Sequence, residues 1–93
     1  MNYKITLSNA ALKFYNSLNK TTQTIIKDAL KDLLKYYETG EPKNLDISKM
    51  TEEKYHGFFR LRTGSYRIVY MPRYKEMVVF ILNMDKRQDV YKK

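Results

Sequence analysis

Three arginines lie close together in residues 57–70, GFFRLRTGSYRIVY, among apolar and aromatic neighbours. They are Arg60, Arg62 and Arg67. A guanidinium group stays protonated at neutral pH, and its planar fork can donate two parallel hydrogen bonds to a phosphate. Like charges directly opposite one another in a sheet cost about 0.2–1 kcal/mol per pair, a cost that a bound phosphate would reverse. The stretch therefore predicts a site for a phosphate-bearing polyanion.

The turn between the arginines decides whether they share one side of a hairpin. If Gly64 and Ser65 form a two-residue turn, Thr63 faces Tyr66 and Arg62 faces Arg67. Alternation along the strand then places Arg60 on the same side. The opposite side, which suits packing on helices, carries Phe59, Leu61, Tyr66, Ile68 and Tyr70. A three-residue loop would instead put Arg67 on the core side, so the prediction depends on the register.

An alternative is that the arginines are the polar face of a hairpin and pair with acids elsewhere. Arg60 could reach Glu76 or Asp85, for example. The C-terminal residues favour a binding site, because Arg87 and Tyr91 are four residues apart and would share a face in helical form.

Charge is distributed unevenly along the 93 residues, whose formal net charge is +8. Residues 1–53 hold eight lysines and seven acids, whereas residues 54–93 hold five lysines, all five arginines and three acids. The net charges of these two parts are +1 and +7. We therefore expect the polyanion site in residues 57–93.

Composition bounds the class of protein. A chain of this length predicts a single domain over residues 1–93, and no stretch has the roughly 18–20 apolar residues that a membrane span needs. The absence of cysteine excludes disulfides and thiolate metal sites. Residues 1–7 lack the features of a signal peptide. We expect a cytoplasmic protein with neither metal nor small-molecule cofactor.

The elements that would position the arginines follow from periodicity. An alternating strand is predicted at residues 3–7, and helices at 10–18, capped by Ser8 or Asn9, and at 22–39, capped by Thr21 or Thr22 and ended by Gly40. Residues 41–54 are predicted to be a loop. Strands are predicted at 57–62, 66–71 and 76–84, with a turn at 72–75 and the last strand covered on both faces. The result is an α+β chain in which an N-terminal helical hairpin packs on a small, mainly antiparallel sheet.

The order β-α-α-β-β-β, the motif FRLRTGSYRIVY, the strand VVFIL and the closing KRQDVY resemble the RelE/ParE toxin superfamily over nearly the whole chain. RelE-like members are mRNA endoribonucleases that cut the message in the ribosomal A site without a metal and are held inactive by an antitoxin. The resemblance implies a RelE-like fold with ribosome, mRNA and a cognate antitoxin as partners. It assigns catalytic roles to Arg60, Arg67, Arg87 and Tyr91. Phosphate binding is expected from Arg62, Lys86 and Lys54.

The proton-transfer groups and the branch of the superfamily stay open at this point. Tyr91, Lys86 and His56 are the candidates for general acid and base, although His56 is better explained as a surface turn residue. Phe58 stands where a RelE-type site has a second lysine, and the chain has Lys86 where other members have histidine. The alternatives are a ParE-like inhibitor of DNA gyrase and a catalytically inactive RNA-binding relative.

Overall fold

Two helices cover one face of a five-stranded sheet. The computed structural model describes residues 2–41 and 44–86 of the chain. Its elements are β1 (Lys4–Leu7), α1 (Asn9–Asn16), α2 (Lys20–Thr39), β2 (Asp46–Lys49), a 3₁₀ turn (Glu53–Tyr55), β3 (Phe59–Thr63), β4 (Tyr66–Arg73) and β5 (Val78–Lys86). Neither helix of these residues combines the length and apolar character needed to cross a membrane.

Local capping explains where the helices begin and end. The Ser8 hydroxyl accepts a hydrogen bond from the backbone N–H of Ala11 at 3.1 Å, which confirms Ser8 as the cap of α1. The predicted start of α2 was wrong by two or three residues, because Asn19 is the cap and its side chain accepts a hydrogen bond from the N–H of Thr22 at 2.8 Å. Gly40 ends α2 as predicted, in a left-handed conformation with φ of 77°.

The strand order in the sheet is β1-β5-β4-β3-β2. Only β1 runs parallel to its neighbour, β5, within the described residues, and the remaining pairs are antiparallel. The predicted α+β class and the helical hairpin on a mainly antiparallel sheet are therefore confirmed. The prediction of a loop over residues 41–54 was wrong, since β2 pairs with β3 along the sheet edge. Strand β2 has four residues, of which only Ile47 is apolar, so its pattern is too short to recognise in the sequence.

Strand β5 lies in the interior of the sheet, but the helices cover only one of its faces. Val79, Ile81 and Met84 are buried, whereas Val78, Phe80 and Leu82 are half-buried. The expectation of a strand covered on both faces was therefore wrong. A register shift between Val69 and Tyr70 lets Ile81 and Met84 face the helices although they are three residues apart.

Strand β4 is longer than predicted. It continues through Pro72, which is buried opposite Val79, so the turn lies at residues 74–77 rather than 72–75. The core between helices and sheet is formed by Ala11, Ile26, Ala29, Leu30, Leu33, Leu61, Ile68, Tyr70, Val79, Ile81 and Met84.

A tyrosine pair links α2 to the middle of the sheet. The hydroxyl oxygens of Tyr37 and Tyr70 are 3.0 Å apart, and Tyr70 is 0% exposed. Burial raises the pKa of Tyr37 to about 12, and burial together with the bond to Tyr37 raises the pKa of Tyr70 further. Both phenols therefore stay neutral near pH 7, and their hydrogen bond joins α2 to the sheet within the core.

Candidate phosphate-binding site on the open sheet face

The hairpin of β3 and β4 turns through two residues, Gly64 and Ser65. Thr63 pairs with Tyr66 and Arg62 with Arg67, which confirms the predicted register. Gly64 has a φ of 58°, in the left-handed region that glycine adopts without strain. The register on which the sequence argument depended is therefore the one that the fold adopts.

This register divides the hairpin into two faces. Leu61 and Ile68 are directly opposite each other and are buried beneath the helices, with 1% and 0% of their surface exposed. Residues one position away point to the other side, which we call the open face. Arg60, Arg62 and Arg67 lie there together and are called the arginine cluster below.

Arg67 is held by a carboxylate from the neighbouring strand. Its Nε donates to Asp85 Oδ1 at 3.0 Å and its Nη2 to Asp85 Oδ2 at 2.9 Å. The two residues are directly opposite in the β4–β5 register, and their side chains are 35% and 48% exposed. Of the pairings considered from the sequence, Asp85 therefore pairs with Arg67 and not with Arg60.

Arg60 lies in the middle of the open face. It stands between Ser48 on β2 and Val69 on β4, and its side chain is half-buried. Within residues 2–41 and 44–86 its buried Nε has no hydrogen-bond acceptor. A buried donor without a partner is costly, and since this atom is shielded from solvent a phosphate oxygen would satisfy it only after the Arg60 side chain turns outward.

Arg62 is exposed and stands between Asp46 on β2 and Arg67 on β4. In the described part of the chain the Arg67–Asp85 pair is the only salt bridge, so Arg62 and Asp46 are neighbours without a direct ion pair. Counting Asp46 and Asp85 against the cluster leaves one net positive charge. Since Asp85 pairs with Arg67, the remaining positive charge lies on Arg60 and Arg62, and the neighbouring Asp46 partly offsets it.

Of the two predicted phosphate-binding lysines, Lys86 lies on the other side of the sheet from the cluster. Lys86 ends β5 opposite Tyr66, so alternation places it on the helix side of the sheet. Lys54 is exposed in the 3₁₀ turn before β3, with its Nζ 5.4 Å from the centre of the Tyr55 ring. His56 is exposed and ends the same turn. Arg87 and Tyr91 lie outside the described residues.

The cluster is an open surface rather than a pocket. A cleft of about 320 Å³ between α2 and β3 has Arg62 among its lining residues but neither Arg60 nor Arg67. Among residues 2–41 and 44–86 no three His, Cys, Asp or Glu side chains come together as a metal site would require. Preorganised guanidinium groups on such a surface can stabilise negative charge on a phosphate.

The sequence did not indicate Asp46 and Ser48 as neighbours of the cluster, and it suggested Asp85 only as a possible partner of Arg60. Asp46 and Ser48 were missed because β2 was not recognised. Counting from the turn after β4 would place Met84 opposite Arg67, and only the register shift between Val69 and Tyr70 brings Asp85 there.

The comparisons with known proteins agree with this fold. A family model described as "ParE toxin of type II toxin-antitoxin system, parDE" matches residues 5–91. No curated protein sequence matches significantly. Among solved structures, the chain is similar to archaeal RelE in the RelE–RelB complex from Pyrococcus horikoshii OT3, at 27% identity and a TM-score of 0.71, over 94% of this chain and 97% of the other.

Two further structures share the fold at lower identity. The toxin-antitoxin complex RelBE2 from Mycobacterium tuberculosis matches at 23% identity and a TM-score of 0.70, over 94% of this chain and all of the other. The isolated E. coli RelE toxin matches at 21% identity and a TM-score of 0.67, over 94% and 86%. The chain thus belongs to the ParE toxin family of type II toxin-antitoxin systems, within the RelE/ParE superfamily.

Proposed function

We propose that this toxin is a ribosome-dependent endoribonuclease that cuts mRNA in the A site. The observation that carries the proposal is the arginine cluster on the open face, in which Arg60 Nε has no acceptor within residues 2–41 and 44–86, because grouped guanidinium groups suit a phosphate. The likeness to archaeal RelE at 27% identity favours the RelE-type activity.

The reaction needs three tasks. The ribose 2′-OH loses its proton and attacks the adjacent phosphorus, the bond from phosphorus to the 5′-oxygen breaks, and the leaving oxygen takes up a proton. Arg60 and Arg67 would stabilise the extra charge on the phosphate during this step, with Arg87 as a third cation. No metal is needed for this role.

Proton transfer falls to other groups, because arginine stays protonated and is a poor base. Tyr91 remains the first candidate, since Lys86 lies on the helix side of the sheet and the side chain of His56 is exposed in a turn. Tyr91 would also suit stacking on an unpaired base. Arg62 and Lys54 would bind the flanking phosphates.

The partner that restrains the toxin would cover the same surface. The RelE of Pyrococcus horikoshii was solved in a complex with RelB, and that of Mycobacterium tuberculosis as the toxin-antitoxin complex RelBE2. An acidic segment of a cognate antitoxin laid across the arginine cluster would complement Arg60 and Arg62 and exclude RNA.

Induction of the toxin in growing cells tests the proposal. Wild type should arrest growth and give codon-phased cuts in primer extension of ribosome-bound mRNA, whereas Arg67→Ala and Arg87→Ala should give neither. Arg73→Ala is the matched control, since Arg73 lies at the far end of β4 against the Phe80 ring, 5.7 Å from its centre. Full toxicity of both Arg67→Ala and Arg87→Ala would refute the proposed site.

The family model favours a second candidate, a poison of DNA gyrase, because the family it describes is ParE. This function predicts broken DNA and intact mRNA after induction. The arginine cluster, with Arg87 and Tyr91, favours the nuclease instead. Measuring both products in the same culture separates the two functions, and binding to ribosomes without cleavage would indicate an inactive RNA-binding relative.

A further inference from the structure

The Arg67–Asp85 pair fixes the plane of one guanidinium group on the open face. Two parallel hydrogen bonds, at 3.0 and 2.9 Å, join the Nε/Nη2 edge of Arg67 to both oxygens of Asp85. The pair arises from the register, since the residues are direct neighbours on β4 and β5. A bidentate contact of this kind restricts rotation far more than a single bond would.

Within the described residues, the other edge of the Arg67 guanidinium group has no hydrogen-bond partner, so it can bind an anion. Arginine has five N–H donors, and Asp85 uses one on Nε and one on Nη2. Both N–H groups of Nη1 and the second of Nη2 remain. Arg67 can therefore bind a phosphate oxygen end-on while Asp85 holds it side-on.

We propose that Asp85 is a positioning residue that aims Arg67 at the phosphate undergoing cleavage. The inference rests on the proposed nuclease function. Asp85 also removes one positive charge from the surface that binds RNA, so it weakens attraction while it improves orientation. These two effects have opposite signs, and kinetics can separate them.

The Arg67–Asp85 pair adds little to the stability of the fold. Both side chains are well exposed, at 35% and 48%, and ion pairs that exposed add little to folding. Variants at Asp85 should therefore remain folded, which makes the position suitable for kinetic work. Glu76, exposed in the turn after β4, offers the matched control, because its substitution removes the same charge away from Arg67.

Kinetics on ribosome-bound message form the first test. Asp85→Ala should lower kcat by roughly 10–100-fold, as expected for a misplaced catalytic group, without raising KM. Asp85→Glu should retain more activity than Asp85→Asn because it keeps the carboxylate. Glu76→Gln should leave kcat unchanged. In an Arg67→Ala background, Asp85→Ala should cause no further loss, since it acts through Arg67.

An unchanged kcat in Asp85→Ala would overturn the inference. So would a raised kcat/KM in Asp85→Ala, because the carboxylate would then block Arg67 rather than position it. A further loss of kcat when Asp85→Ala is added to Arg67→Ala would also overturn it. A wild type that cuts no ribosome-bound message would instead refute the proposed function.

A second measurement does not require activity. In the free protein, the Nε proton of Arg67 should exchange slowly with water by nuclear magnetic resonance and rapidly in Asp85→Asn. Equal exchange in the two proteins would overturn the inference even if the wild type cuts mRNA. Slow exchange in a wild type that does not cut would show that the proposed function has failed while the pair exists.

Discussion

Removing either hydroxyl of the Tyr37–Tyr70 pair deletes the same hydrogen bond but leaves a different group behind. In Tyr37→Phe, the hydroxyl of Tyr70 loses its partner inside the core, where the residue is 0% exposed. In Tyr70→Phe, the hydroxyl left behind belongs to Tyr37, which is half-buried and can bind water. The structure therefore predicts unequal costs for two chemically identical substitutions.

The magnitudes follow from what is left unsatisfied. A buried polar group without a partner costs about 1–3 kcal/mol, so we expect Tyr37→Phe to lower the free energy of unfolding by that amount. The net loss of a hydrogen bond whose remaining partner is hydrated is nearer 0.5–1 kcal/mol, roughly the cost of Tyr70→Phe. The double variant leaves neither hydroxyl and should be more stable than Tyr37→Phe alone.

Urea-induced unfolding followed by circular dichroism measures all three variants. In thermal unfolding, a difference of about 1 kcal/mol between the single variants would appear as roughly 4–8 °C in Tm for a domain of this size. The reasoning is refuted if Tyr70→Phe costs as much as Tyr37→Phe. It is also refuted if the cost of the double variant equals the sum of the two single costs.

Three further predictions concern the fold. The pKa of a tyrosine is near 10 in the unfolded chain, whereas that of Tyr37 is raised to about 12 in the folded protein. Unfolding between these pH values therefore releases a proton, and the free energy of unfolding should fall as the pH rises from about 10 to about 12. Unfolding of Tyr37→Phe in urea should show a shallower fall over the same range. Ser8→Ala removes the cap of α1 and a 2.6 Å hydrogen bond to the Leu82 carbonyl. It should therefore lower the free energy of unfolding, measured in urea, by about 1–2 kcal/mol. The control Ser65→Ala, in the exposed hairpin turn, should lower it by less than about 0.5 kcal/mol. Gly64→Ala, at a φ of 58°, should lower stability by about 1 kcal/mol and Gly64→Asn by less, and equal costs would contradict the left-handed turn.

Local chemistry made much of the fold predictable. Gly64 in the first central position selects a two-residue turn, and that turn fixes the faces of Leu61 and Arg60 at once. The caps at Ser8 and Gly40 are likewise local, since each acts on backbone groups within a few residues.

Features that depend on partners distant in sequence were less predictable. Strand β2 exists because Ile47 meets Leu61 across the sheet edge, and its own four residues do not indicate this. The contact of Asp85 with Arg67 requires the β4–β5 register, including the shift near Val69. The sequence therefore predicted that the three arginines share one face of the hairpin, but it did not predict which acidic residues lie next to them.

The single-turnover rate at which the purified toxin cuts a ribosome-bound message tests the central claim most directly. Arg60→Gln and Arg73→Gln each remove one arginine from the open face, but only Arg60 belongs to the arginine cluster. The account predicts a loss of roughly 10²–10³-fold for Arg60→Gln and little change for Arg73→Gln. Equal rates for the two variants, or an unchanged rate for Arg60→Gln, would contradict it.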